Sequence, residues 1–316
     1  MTNSEYSTPV ALASATPRFT MEIPFFHDDV WRIGNKAFDF RRQVAVMAIV
    51  NRTPDSFHDQ GANFALHRAI ETSLRAVEDG ADWVDVGGVP FGRGPEVSVD
   101  EEIERVLPVI EAVVSQSDVV VSVDTNRAVV AAEAIRAGAA VINDTSGFWD
   151  PEMPGVIARG GAAVILTHSL HPPRSEPVRP RYDDVVDAVR ERLFALIGVA
   201  RDAGISPDRL VIDPGHDLNK NTLHSLELTR RLPELVDLGY PLLVALSNKD
   251  FIGETLDRER GQRLIGSIAA AVACVLAGAR IVRAHDVAAT VDAVRMTESM
   301  LGLRPPVRVW HNNGQN

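Results

Sequence analysis

Eight short, mainly apolar segments recur along this chain, and a polar residue follows all of them except the second, which ends at Gly87. In the first segment, residues 44–50, an unbroken apolar run stops at Asn51 and a loop that contains proline. An apolar run without alternation is typical of a strand buried on both faces, as in a parallel sheet. The repeated pattern therefore places a polar group at the carboxyl end of one buried strand after another.

Segments with the apolar spacing of helices separate these strands. The predicted strands cover residues 44–50, 83–86, 119–123, 140–142, 162–166, 210–212, 242–246 and 280–282. The predicted helices cover residues 62–80, 99–114, 127–138, 151–159, 182–203, 222–238, 263–278 and 289–301. This alternation predicts an α/β fold of the (β/α)8 TIM-barrel type. A doubly wound open sheet is less favoured, because no glycine-rich dinucleotide turn follows the first strand.

The sequence outside the barrel pattern is short. Residues 1–18 are rich in Ser, Thr, Ala and Pro, so we expect a disordered tail. Residues 19–40 alternate apolar and polar side chains, which predicts a hairpin that closes the bottom of the barrel. We therefore expect one domain over residues 19–303 and a C-terminal tail over residues 304–316.

Composition excludes several classes of function. The net charge of −11 argues against a nucleic-acid-binding face, which would need clustered Lys and Arg. The single cysteine, Cys274, lies in an apolar helical segment and predicts a buried structural thiol. We find no signal-peptide pattern and no apolar run long enough to span a membrane. Together these features lead us to expect a soluble cytoplasmic protein that contacts no membrane.

In a TIM barrel the loops after the strands line one mouth, where chemistry takes place. The residues at and just after the strand ends therefore form one candidate site. They are Asn51, Asp55, Gly87, Asp124, Asn143, His168, Asp213, Ser247, Lys249, Arg283 and His285.

The residue types at the mouth suit a ligand that carries phosphate. Lys249, Arg283 and His285 carry or can carry positive charge, which stabilises a departing phosphate. Asn51, with Asp55 and Asp124, could hold Mg²⁺ directly or through water, since Mg²⁺ prefers oxygen ligands. In addition, the Asp213 carboxylate and the Asn143 amide could pair with the edge of a planar nitrogen heterocycle.

Each of these residues also has an ordinary structural explanation. Asp213 precedes Pro214-Gly215 and could cap a turn, and Asp124-Thr125 could be the N-cap of the next helix. Histidines in loops, such as His168 and His216, are more often solvated than catalytic. The functional interpretation depends on recurrence, because folding does not require a polar group at nearly every strand end.

The same residues fall into motifs that resemble dihydropteroate synthase, of the pterin-binding barrel family. The resemblance runs from residue 44 to residue 301. Its motifs are Asn51-Arg-Thr-Pro-Asp-Ser-Phe57, Asp85-Val-Gly-Gly88, Ser122-Val-Asp-Thr125, Ile142-Asn-Asp144, Asp213-Pro-Gly215, Lys249-Asp-Phe-Ile-Gly253 and Arg283-Ala-His-Asp286.

The resemblance implies a reaction and a set of roles. Members of the family join a pterin methyl diphosphate to p-aminobenzoate and release pyrophosphate, forming dihydropteroate. By position, Asn51 would bind Mg²⁺ and the diphosphate, and Arg283 and His285 would hold the diphosphate. The pterin ring would be bound by Asp124, Asn143, Asp213 and Lys249. No residue is assigned a catalytic role.

The first two loops depart from the family pattern. In the loop after the first barrel strand, Arg52 stands where the family usually has valine. The second loop normally reads Gly-Gly-Glu-Ser-Thr-Arg-Pro-Gly, and here it reads Gly87-Gly-Val-Pro-Phe-Gly-Arg-Gly94. Phe91 and Gly92 replace the Thr and Arg, although Arg93 is one position away.

Later loops depart as well. The loop after the sixth strand is usually Asp-Pro-Gly-Phe-Gly-Phe-Gly-Lys, and here it is Asp213-Pro-Gly-His-Asp-Leu-Asn-Lys220. Its two aromatic positions hold His216 and Leu218, and Asp217 and Asn219 replace two glycines. The usual Ser-Arg-Lys after the seventh strand has become Ser247-Asn-Lys249, and Met-His-Met after the fifth has become Thr167-His-Ser169.

These departures spare the pterin and diphosphate residues and alter the loops and the p-aminobenzoate side. A loop arginine that closes over a reacting diphosphate can contribute orders of magnitude in rate. The sequence therefore predicts a divergent homologue with weak or no ordinary synthase activity that still binds pterin or sulfonamide-like ligands.

Four alternatives or additions stay open. One is an active synthase in which Arg52 or Arg93 replaces the loop arginine. A second is a pterin-barrel methyltransferase, which would need a corrinoid partner. A third is a non-catalytic pterin sensor or a partner of an active synthase. The resemblance also favours a homodimer, packed through the helices near residues 269–277 and 287–300.

Overall fold

We analysed a computed structural model of the chain, which describes residues 26–28, 30–52, 60–90, 95–171 and 179–311, with the side chains of residues 60–64 excepted. The predicted tail over residues 1–18 and the first part of the predicted hairpin lie outside these ranges.

The described residues form an N-terminal hairpin and then an alternating series of strands and helices. The strands are β1 (Trp31–Ile33), β2 (Lys36–Phe38), β3 (Ala45–Asn51), β4 (Trp83–Gly87), β5 (Val120–Asp124), β6 (Val141–Asp144), β7 (Ala163–Thr167), β8 (Leu210–Asp213), β9 (Leu243–Ala245) and β10 (Ile281–Ala284). The helices are α1 (Gln60–Glu78), α2 (Val99–Gln116), α3 (Ala128–Arg136), α4 (Met153–Gly160), α5 (Val185–Asp202), α6 (Thr222–Arg230), α7 (Pro233–Val236), α8 (Asp250–Leu256), α9 (Leu264–Leu276) and α10 (Val287–Met300).

Strands β3 to β10 form one parallel sheet that curls into a barrel. The order is β8-β7-β6-β5-β4-β3-β10-β9, with parallel pairing at each step. Strands β8 and β9 are joined through a parallel bridge between Ile212 and Leu242, which closes the ring. The predicted (β/α)8 TIM barrel is confirmed.

The barrel has two apolar layers because its strands are buried on both faces. Side chains such as Val46, Val84 and Val121 pack outward against the helices. Alternate residues, among them Met47 and Trp83, fill the interior. This explains why the strands are unbroken apolar runs rather than alternating ones.

The hairpin plugs the lower end of the barrel. Strands β1 and β2 pair antiparallel, and the rings of Trp31, Phe38 and Phe40 belong to the same apolar cluster as the barrel interior. The Trp31 indole N–H donates to the carbonyl of Leu210 at the start of β8. The hairpin and its position at the bottom agree with the prediction, and the opposite mouth is left for a site.

The predicted helix over residues 222–238 is wrong as a single element. It is two helices, α6 and α7, because Pro233 lacks the N–H that a continuous helix would need. The prediction also missed α8, a short helix directly after Lys249. Asp217, in a different loop, accepts hydrogen bonds from the first N–H groups of α8, so no local cap residue signals its start. Within the described ranges, no helix is both long enough and apolar enough to cross a membrane.

Candidate functional site

The ends of neighbouring strands bring the predicted polar residues to one level of the mouth. In the sheet register, Asn51 lies beside Gly87, Gly87 beside Asp124, and Asp124 beside Asn143. Asp213 pairs in the same way with Thr167 on the opposite side of the barrel. The parallel barrel therefore places these residues around one opening.

A buried carboxylate, Asp85, organises the centre of the mouth. Its Oδ2 accepts hydrogen bonds from Arg283 Nε at 2.7 Å and from Asn143 Nδ2 at 2.9 Å. Its Oδ1 accepts one from Ser122 Oγ at 2.6 Å. Asp85 is fully buried, and an ionised carboxylate is stable there only when it is paired in this way.

Arg283 links this carboxylate to a second one. Its Nη2 donates to Asp124 Oδ2 at 3.0 Å, so one guanidinium bridges Asp85 and Asp124. Burial raises the pKa of Asp124, and the positive charge of Arg283 opposes that rise. Asp124 is therefore not the N-cap of the following helix; that position is held by Arg127.

Two buried acceptors surround this network. Asn143 uses its amide N–H on Asp85, while its Oδ1 is buried with no hydrogen-bond partner among the described residues. Asp213 is also buried, and its Oδ1 accepts from the N–H of Gly215 at 2.7 Å. The turn-capping explanation for Asp213 is therefore correct, and burial raises the pKa of its carboxyl.

Lys249 is set among charges of both signs. Burial lowers its pKa, while the carboxylates of Asp217, Asp213 and Asp250 act in the opposite direction. Lys249 is the N-cap residue of α8, so the backbone of this helix fixes where its side chain begins.

His285 and Asn51 are the more exposed members of the site. The Nδ1 atom of His285 is hydrogen-bonded to Ser247 Oγ at 3.0 Å, and partial burial with the charge of Arg283 lowers its pKa. A Cβ at Gly87 would lie 3.2 Å from Asn51 Oδ1 and 3.8 Å from Asp124 Cβ. The absence of a side chain at Gly87 therefore leaves room for the Asn51 amide beside Asp124.

The two histidines expected to be solvated are both buried, so that expectation is wrong. Lys220 Nζ lies 2.9 Å from His168 Nδ1 and donates to the carbonyls of Gly215 and Leu218. Burial lowers the pKa of Lys220 to about 7 and that of His168 to about 2. His216 stacks on the ring of Phe251, and burial lowers its pKa to about 3. His216 and Lys220 belong to the loop after β8, and their buried side chains fix this loop against Phe251 and His168.

The loop after β8 keeps a backbone suited to glycine while carrying side chains. Asp217 and Asn219 have φ values of 64° and 52°, in the left-handed region that favours glycine. Asp and Asn are the residues that tolerate this region best after glycine. The Asn219 Oδ1 accepts from the N–H of Leu170 at 2.9 Å, which ties this loop to the one after β7.

Arg52 is directed to helix α2. Its Nη1 donates to the carbonyls of Glu104 at 2.7 Å and Arg105 at 2.8 Å, and its backbone N–H donates to Gly87. Pro108 lies inside α2 and has no N–H for the carbonyl of Glu104, four residues earlier. Arg52 supplies that missing donor.

Sequence reasoning named Asp85, Ser122 and Asp217 in its motifs but assigned no role to them, although all three shape the mouth. The position of Asp85 in the middle of the apolar strand Trp83–Gly87 could have indicated its role, since a barrel interior tolerates a charge only when it is paired. The role of Asp217 had no such signal. Asp55, Phe91, Gly92 and Arg93 lie outside the described residues.

The described residues contain no group of three or more His, Cys, Asp or Glu side chains arranged to hold a metal ion. Among the described residues, the donors near Asn51 are its own amide oxygen and the Asp124 carboxylate, which is already paired with Arg283. Mg²⁺ commonly keeps several waters and takes further oxygens from substrate phosphates. This donor set suits a metal ion that arrives with a phosphate ligand rather than one held by the protein alone.

Comparison with known proteins identifies the class that this barrel and mouth define. A family described as "Pterin binding enzyme" matches residues 47–285, so the chain belongs to the pterin-binding enzymes. It is 48% identical over 269 residues to "Inactive dihydropteroate synthase 2" of Mycobacterium tuberculosis (strain ATCC 25618 / H37Rv), covering 83% of this chain and 85% of that one.

Relatives named dihydropteroate synthase match a similar share of the chain. "Dihydropteroate synthase" of Escherichia coli (strain K12) is 39% identical over 260 residues, covering 82% of this chain and 92% of that one. The solved structure of the Xanthomonas albilineans synthase in complex with 7,8-dihydropteroate has a TM-score of 0.77 at 39% identity, covering 86% and 98%. The chain is thus a divergent dihydropteroate synthase homologue, as its sequence motifs predicted.

Proposed function

We propose that this protein binds a pterin methyl diphosphate at the barrel mouth and has weak or no ordinary dihydropteroate synthase activity. The observation that carries the proposal is the buried Asn143 Oδ1, which lacks a partner among the described residues while its amide N–H is held by Asp85. A buried acceptor without a partner is costly, and a ring N–H of a bound heterocycle would satisfy it.

The remaining mouth residues supply complementary roles in this proposal. Asp124, Asp213 and Lys249 would complete the pterin-binding set. Asn51, Arg283 and His285 would face the diphosphate, where positive charge and N–H donors stabilise the phosphate oxygens. Mg²⁺ would be held between Asn51 and those oxygens, supplying charge neutralisation. Sulfonamide-like ligands would be bound on the p-aminobenzoate side.

Impaired activity is supported by the changed loops and by the names of similar relatives. The chain has 48% identity with a mycobacterial relative named inactive and 39% with the Escherichia coli synthase. The alternative of an active synthase that uses Arg52 is disfavoured, because the Arg52 guanidinium donates to two carbonyls of α2. The alternative in which Arg93 replaces the loop arginine is not tested by these contacts, because Arg93 lies outside the described residues.

Calorimetric titration with the pterin diphosphate and Mg²⁺ tests the binding site. Asn143→Leu removes the amide at nearly constant size, and we expect it to weaken binding at least tenfold, about 1.4 kcal/mol. Gln116→Leu is the matched control, because it removes an exposed amide at the end of α2. Equal affinity of the wild type and Asn143→Leu would contradict the proposal.

We also propose a cytoplasmic homodimer that serves folate biosynthesis as a binding protein rather than as a fast enzyme. Exposed apolar side chains on the contacting helices α9 and α10 support the dimer, since Ile265, Met296 and Met300 are 79%, 60% and 61% exposed. Analytical ultracentrifugation of the wild type and of Ile265→Asp tests it. A monomeric wild type at micromolar concentration would overturn the homodimer.

A further inference from the structure

The loop after β8 presents a carboxylate to the part of the mouth next to Lys249. Asp217 Oδ2 accepts hydrogen bonds from the backbone N–H groups of Asp250 at 2.7 Å and Phe251 at 3.3 Å. Its Oδ1 accepts one from Ser225 Oγ at 3.1 Å. With both oxygens engaged, this carboxylate is fixed in place rather than free to swing into solvent.

The Lys249 ammonium already has carboxylates of the protein as neighbours, although the positive charge of Arg283 also acts on it. Three carboxylates, those of Asp217, Asp213 and Asp250, interact favourably with its ammonium, and Asp217 contributes the largest of these interactions. The Asp217 carboxylate also occupies the backbone N–H groups of Asp250 and Phe251 at the start of α8, directly after Lys249. A ligand carboxylate would find these donors already used and would be repelled by Asp217.

The backbone at position 217 does not need a carboxylate. Its φ of 64° suits glycine, the residue that the related sequence pattern has there. Asp217 therefore adds a negative charge to the mouth at a backbone conformation that glycine also adopts. Asn219 also has a backbone conformation that suits glycine, with φ 52°, but its side chain is uncharged and is bonded to the loop after β7.

We propose that Asp217 is a specificity-determining residue that excludes a carboxylate-bearing second ligand from the mouth and leaves neutral aryl amines as the class that can bind beside the pterin. This inference rests on the proposed function, because it concerns the ligand that binds next to the pterin diphosphate. It identifies an internal carboxylate, in addition to the altered loops, as a reason to expect weak binding of p-aminobenzoate.

The test compares two ligands of the same shape and different charge. The affinities of 4-aminobenzoate and 4-aminobenzamide are measured by calorimetry in the presence of saturating pterin diphosphate and Mg²⁺. The wild type is expected to bind the amide at least about tenfold more tightly than the carboxylate. Asp217→Gly is expected to reduce that preference about tenfold or more, and Asp217→Asn, which removes the charge at constant size, is expected to reduce it as well.

Asn219→Gly is the matched control, since it makes the same backbone replacement without removing charge, and we expect it to keep the wild-type preference. An unchanged preference in Asp217→Gly, or failure of that variant to bind either aryl amine while it still binds the pterin diphosphate, would overturn the exclusion proposal alone. Absence of pterin diphosphate binding by every variant, wild type included, would overturn the proposed function and this inference with it.

Discussion

Replacing Arg52 with valine should destabilise the protein by about 1–2 kcal/mol, and most of that loss should disappear when Pro108 is also replaced by alanine. Arg52 donates to the carbonyls of Glu104 and Arg105, the first of which has no helical partner because of Pro108. A hydrogen bond from a charged donor contributes about 1.5–3 kcal/mol when buried, and the exposed setting of the Glu104 contact reduces this.

The assay is a double-mutant cycle of urea unfolding on the wild type, Arg52→Val, Pro108→Ala and the double variant. In the Pro108→Ala background the new N–H pairs with the Glu104 carbonyl, so Arg52→Val should cost much less there. A coupling energy of at least about 1 kcal/mol is expected. Arg136→Ala is the control, because Arg136 is exposed on α3 and should show no coupling to Pro108. Equal costs of Arg52→Val in both backgrounds would refute the reasoning.

Three further outcomes follow from the buried groups. Asp85→Asn should destabilise the protein by about 3 kcal/mol in urea unfolding, because the Arg283 guanidinium loses its fully buried partner and keeps only Asp124 as a counter-charge; a cost under about 1 kcal/mol would contradict this. Burial lowers the pKa of His216 in the folded protein to about 3. Between about pH 6.5 and 3, the unfolded chain therefore binds a proton at this residue and the folded protein does not, so the free energy of unfolding falls as the pH falls. His216→Phe should therefore reduce the slope of the unfolding free energy against pH by about 1.4 kcal/mol per pH unit between about pH 6 and 3. An unchanged slope would refute this prediction. Burial raises the pKa of the Cys274 thiol to about 12, so a thiol reagent should label it only on unfolding; rapid labelling of the folded protein would show the thiol to be accessible.

Much of the architecture was predictable because it depends on patterns that are local in sequence. Strands buried on both faces leave unbroken apolar runs, and their ends must meet at one mouth when the strands are parallel. For this reason the register that sets Asn51, Gly87, Asp124 and Asn143 side by side follows from the order of the elements.

What the sequence did not reveal depends on partners that are distant along the chain. The hydrogen bonds of Arg52 to α2 join residues more than fifty positions apart, and no local pattern indicates them. The cap that Asp217 provides for α8 is of the same kind. The burial of His168 beneath the mouth depends on Lys220, which reaches it from the loop after another strand.

The most direct test of the central claim is a pyrophosphate-release assay run beside calorimetry of the same protein sample. The sample contains the pterin methyl diphosphate, p-aminobenzoate and Mg²⁺. The account predicts measurable binding of the pterin diphosphate with turnover far below about one per second, the lower end of ordinary enzyme rates. Turnover at about one per second or faster would contradict it, because the altered loops would then have to close the site in another way.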